Sequence, residues 1–79
     1  MSDFKHLQEI IAATLKIPAG NITESTLMED IEEWDSLGHV HIMVAVEQAF
    51  DLYMDVDDFA ELTGVRAILD YIDAEKGHA

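Results

Sequence analysis

Apolar residues recur at helical spacing in separate stretches of this chain and lose that spacing between them. Phe4, Leu7, Ile10, Ile11, Thr14 and Leu15 fall on one face of a helix. This predicts a first helix over 3–16, capped by Ser2 or Asp3 and stopped by Pro18 and Gly20. From 17 to 35 no period persists, and Gly20-Asn21 is turn chemistry. Ile22, Leu27, Met28, Ile31 and Trp34 are scattered through that stretch, which predicts a long loop packed across the core. The helical period returns over 36–50, where Gly38 in the first turn is the single helix breaker. Ile42, Val46, Ala49 and Phe50 share one side of this second helix, with His39 and Met43 beside them, whereas Leu37, Val40 and Val44 share another. A short helix follows over 57–62, its early acids favourable at the N-terminal dipole. Thr63 then caps a last helix in which Val65, Ile68, Leu69 and Ile72 share a face, and Gly77 ends it. The expected fold class is all-α: a four-helix bundle of three longer helices and one short, with a long loop between helices one and two. There is no internal repeat, so a single domain over 1–79 is expected.

The two-sided second helix changes the reading most. One apolar side can enter the core of so small a domain. The other, Leu37, Val40 and Val44, has either a second layer to cover it or a partner to meet. Charge bears on the choice. Seventeen carboxylates face four Lys and Arg, for a net charge of −13. Such a field repels nucleic acid and anionic membranes and attracts basic protein surfaces. Nucleic-acid binding is excluded on that ground, although acidity also serves plain solubility. No apolar run reaches the roughly 20 residues of a membrane span, and no secretory leader opens the chain. There are no cysteines, hence no disulfide and no thiolate metal site. A soluble, cytoplasmic monomer is the expectation.

Candidate chemistry centres on Glu33-Trp34-Asp35-Ser36-Leu37-Gly38-His39-Val40. Asp35 and Ser36 both suit an N-cap, and capping alone explains either. A serine at a helix N-terminus is also exposed, where free N–H groups and the positive dipole end favour a phosphate. Other sites fail on spacing. A hydrolase elbow needs glycine where Trp34 stands. His39 and His41 face different directions, and zinc-binding spacing would need histidine where Met43 or Ala45 stands. The Asp55-Val56-Asp57-Asp58 string lacks calcium-loop residues, because Ala60 and Arg66 occupy the glycine and glutamate positions. No metal site and no enzymatic activity are expected. His39 reads as a partly buried helix histidine, and His41 as a solvent or partner contact.

Asp35-Ser36-Leu37, in the middle of a short acidic chain and ahead of a two-sided helix, resembles the acyl carrier protein family across nearly the whole chain. The resemblance implies that Ser36 receives 4'-phosphopantetheine from coenzyme A, with Asp35 and Leu37 as the flanks that a phosphopantetheinyl transferase recognises. It implies that the arm holds an acyl or aminoacyl group as a thioester for biosynthetic enzymes: a loading enzyme, then transferases or synthases. It implies a partner surface of Leu37, Val40, His41, Val44, Glu47, Asp55, Asp57 and Asp58, and core positions at Phe50, Ile68 and Ile72. Gly38, His39, His41 and Gln48 leave the second helix less acidic than in fatty-acid-synthase carriers. The string is more similar to stand-alone carriers of polyketide, peptide or aminoacyl pathways; cargo, pathway and loading enzyme stay open. The alternative is an unmodified acidic helical adaptor whose apolar stripe binds a basic partner helix.

Overall fold

The computed structural model describes residues 3–76. Four α-helices form among them: α1 (Asp3–Leu15), α2 (Ser36–Phe50), α3 (Val56–Glu61) and α4 (Val65–Lys76), with 3-10 turns at Ala19–Asn21 and Met28–Asp30. The expected all-α fold, with three longer helices, one short helix and a long first loop, is the fold observed. The proposed caps at Ser2 and Gly77 lie outside the described residues.

Each long helix buries the stripe that its period marks. Leu7 and Ile11 of α1, Ile42, Met43 and Val46 of α2, and Val65, Ile68 and Ile72 of α4 are essentially inaccessible. Two residues of the first loop, Ile22 and Trp34, complete this core. The loop therefore forms part of the packing, as its apolar content predicts. Leu27 departs from that pattern and stays largely exposed, while Met28 and Ile31 are half-buried. On α2, Ala49 faces solvent instead of the core. Phe50 sits at the core's rim, its ring 4.8 Å from that of His6.

Helix ends are set by particular residues. Lys16 takes a left-handed backbone (φ 60°), and the Ile17 amide donates back to Ala12 O at 3.0 Å, so α1 stops one residue before the expected end. Asp51 does the same for α2 (φ 56°), its N–H donating to Glu47 O. Asp and Lys reach this conformation at a cost that glycine would avoid. Asp55 caps α3, accepting from Asp58 N at 3.2 Å while Asp58 Oδ2 accepts from Asp55 N at 3.2 Å. That reciprocal pair starts the helix one residue before the expected position.

Thr63 does not cap α4. Gly64 occupies the cap position, its carbonyl accepting from Ile68 N at 3.1 Å. Thr63 instead belongs to a two-bond bridge between the first loop and the α3–α4 turn. Met28 N donates to Thr63 O and Val65 N to Thr26 O, both at 2.9 Å. Gly64 permits this approach: a Cβ there would lie 2.8 Å from Leu27 Cδ2. The loop's other end is sewn to α1 by Gln8, whose Nε2 donates to Ala19 O and Ile22 O, each at 2.9 Å. The path of the chain into α2 is thus fixed from two sides.

Candidate functional site

The start of α2 is built around Asp35. Its carboxylate accepts from Gly38 N at 2.8 Å and its carbonyl from His39 N at 2.8 Å, so Asp35 is the N-cap. Ser36 is the first helical residue and is exposed; its hydroxyl has no partner among the described residues. The two candidates for the cap are thereby separated. Asp35 satisfies the backbone, and the Ser36 Oγ stays available. The amides of Ser36 and Leu37, in the first turn, have no intrahelical acceptor and leave the positive end of the helix beside the Ser36 hydroxyl.

Gly38 brings this turn down onto the loop. A Cβ at that position would lie 2.9 Å from Glu33 O and 2.9 Å from Leu15 Cδ2. Beside Asp35 opens a groove of about 500 Å³, lined by Leu27, Met28, Ile31, Trp34 and Thr63 and by the acids Glu29, Glu32 and Asp35. Ser36 is thus an exposed nucleophile-bearing residue at a helix N-terminus, next to a partly apolar groove.

Behind Ser36 lies a buried polar relay. Trp34, 2% exposed, donates its indole N–H to His39 Nδ1 at 2.9 Å. An indole nitrogen only donates, so Nδ1 accepts and the imidazole proton is on Nε2. His39 Nε2 then donates to Phe59 O of α3 at 2.7 Å. His39 is 7% exposed, more deeply set than its helical position alone implies.

The stripe expected to meet partners is open. Leu37 is 65% exposed, Val40 43% and Val44 41%, so α2 is not wrapped on both sides. His41 is exposed on the same helix. The acids expected beside the stripe have internal roles as well. Glu47 Oε2 accepts from Met54 N at 2.8 Å and so fastens the α2–α3 turn. Asp55 and Asp58 cap α3, whereas Asp57 is simply exposed. Two exposed apolar residues went unrecognised in the sequence: Tyr53 at 84% and Val56 at 80%. For Val56 a signal was present, a large side chain set between Asp55 and Asp57; Tyr53, between Leu52 and Met54, had none. Tyr71 donates to Asp58 Oδ2 at 3.4 Å and to Tyr53 O at 3.2 Å. Partial burial, then the charges of Asp58 and Glu75, push its phenol above the ordinary value. Among the described residues no group of three His, Asp or Glu is placed to hold a metal, and no helix is long and apolar enough to cross a membrane.

Comparison with known proteins bears directly on this geometry. Residues 5–72 match the family model of the phosphopantetheine attachment site. Among solved structures, the solution NMR structure of a holo acyl carrier protein from Geobacter metallireducens is similar, with a TM-score of 0.84. It is 23% identical, and the match covers 99% of this chain and 90% of that one. At that identity the likeness establishes the fold.

Proposed function

This chain belongs to the phosphopantetheine attachment family and has a carrier role; from that premise we propose that Ser36 is the residue that bears the 4'-phosphopantetheine arm. The observation that supports it best is the division of labour at the start of α2. Asp35 alone caps the helix, which leaves the Ser36 hydroxyl exposed and without a structural task.

In the attachment step Ser36 Oγ gives up its proton and forms the ester bond to the pantetheine-side phosphorus of coenzyme A, as the adenosine 3',5'-bisphosphate half departs. Once bound, the arm supplies a terminal thiol that holds an acyl or aminoacyl group as a thioester. The chain's own residues do the rest. The Ser36 and Leu37 amides would offset the charge of the phosphodiester, and Asp35 with Leu37 would flank it for the transferase. Leu37, Val40 and Val44 give partner enzymes an apolar grip, with His41 beside it on α2. Glu47, Asp55, Asp57 and Asp58 supply negative charge toward α3 that steers basic surfaces. The small stripe suits brief encounters with a loading enzyme and later transferases or synthases. The sparse acid on α2 favours a stand-alone polyketide, peptide or aminoacyl carrier over a fatty-acid-synthase carrier.

Intact mass after incubation with coenzyme A and a broad-specificity phosphopantetheinyl transferase tests this reading. One added arm is expected, absent from Ser36→Ala. An unmodified wild-type chain would instead favour the acidic adaptor.

A further inference from the structure

Building on the carrier reading, we propose that His39 is a positioning residue for Ser36: through its bond to Trp34, its ring holds the loop that leads into the attachment site. The contacts are specific. The His39 amide donates to Asp35 O at 2.8 Å, while its Nδ1 accepts from the Trp34 indole at 2.9 Å. One residue thus grips both residues that precede Ser36. Its Nε2 reaches across to Phe59 O at 2.7 Å, although α3 is only six residues long.

A buried polar pair is an uneconomical way to fill this space. Two apolar side chains of similar shape would pack at no loss, because removing both partners of a buried hydrogen bond together is nearly neutral. What the pair adds is direction. A loop entering a helix can swing about its cap residue. Here the swing is stopped by an aromatic ring that is both buried and hydrogen-bonded. His39 and Met43 face inward while Leu37, Val40 and Val44 face out, so the relay backs onto the stripe without competing with it. A transferase that grips the stripe then finds Ser36 already oriented, and binding loses less freedom.

Asparagine and glutamine each preserve half of the relay. Asn Oδ1 takes the place of Nδ1 and can accept from Trp34; the Gln amide takes the place of Nε2 and can donate to Phe59. The full chain with His39→Leu, His39→Gln or His39→Asn is assayed with coenzyme A and the transferase. In parallel, the indole N–H of its single tryptophan is followed by NMR. In His39→Leu and His39→Gln the apparent KM for the carrier should rise roughly tenfold, because a loop freed to swing must be ordered when the transferase binds. His39→Asn should stay within about twofold, and kcat should hold in all three. The indole resonance should move upfield in the first two and remain in the third. If the resonance moves yet KM does not, His39 is structural only and the inference falls. It falls equally if His39→Asn keeps the indole bond and loses as much as His39→Leu. Should His39→Leu fail to fold, the Gln and Asn variants decide by the same criteria. A wild-type chain that accepts no arm overturns the carrier reading and this inference together; a modified wild type with variants of equal KM overturns the inference alone.

Discussion

Ser36 and Asp35 are neighbours with opposite duties, and substitution should separate them. Ser36→Ala removes a hydroxyl that has no partner among the described residues, so stability should stay within about 0.5 kcal/mol of wild type while the proposed attachment is lost. Asp35→Ala removes the cap and should cost about 1 kcal/mol by urea unfolding. Equal losses for the two would show that Ser36 shares the capping. Gly38→Ala is the sharper case. Alanine inside a helix ordinarily gains about 1 kcal/mol over glycine. Here the added methyl meets Glu33 O and Leu15 Cδ2, each at 2.9 Å. The carbonyl cannot give way as a side-chain tip can, so a net loss of about 1–3 kcal/mol is expected. A variant more stable than wild type would mean that the loop yields easily. The sequence marked Asp35 and Ser36 as the place to look but not which one capped. Both residue types cap equally well; the choice is made by the path of the preceding loop, which Gln8 sets from far away in sequence and Trp34 from its anchorage on His39.

At the scale of the helix, α2 works because its two apolar sides have different fates. Val46 is inaccessible and Val44 faces water. Val46→Ala should cost about 2 kcal/mol, from lost burial plus an incompletely collapsed cavity. Val44→Ala should change stability by less than about 0.5 kcal/mol and weaken partner docking instead. Thermal melts that fall equally would place Val44 in the core. Helix existence and inner faces were legible because they follow a period that many residues repeat. Single-residue devices carry no period and were not. Gln8 on two loop carbonyls, Glu47 on the Met54 amide and Gly64 as the α4 cap are each one side chain or one missing side chain meeting a distant backbone. Ala49 misled for a related reason. Its angular position is right, but a methyl group is too short to say which neighbour it meets.

For the molecule as a whole the dominant quantity is its charge of −13. Arg66 joins Glu24 and lies 3.9 Å from Asp70, and Lys76 meets Asp3 at 3.1 Å. These pairs are largely exposed and contribute at most about 1 kcal/mol each. Repulsion among the remaining carboxylates should outweigh them, so the melting temperature should rise with added sodium chloride. Partner affinity should fall over the same range, because the same screening weakens steering by acids such as Asp57. An affinity indifferent to salt would leave the apolar stripe as the whole recognition surface. Tyr71 adds an alkaline limit. Its phenol is raised in the folded state, so the unfolded chain releases that proton first. The stability that Tyr71 contributes is complete below its ordinary value of 10 and declines as pH climbs from there toward the raised one. Tyr71→Phe should remove that share of the decline in alkaline melts.

The bridge between the first loop and the α3–α4 turn also implies an order of events. Its hydrogen bonds, from the Met28 and Val65 amides, join stretches of chain remote in sequence. Its loop-closure entropy is met only after the helices that flank it exist, so it should form late. In native-state hydrogen exchange those two amides should open together, well below the free energy that exposes the amides of Ile11, Ile42 and Ile68. Identical protection throughout would mean one indivisible transition. The expected hierarchy makes the stretch over 26–28 the part of the first loop that opens first, able to detach and return while Ile22, Trp34 and the three long helices stay packed.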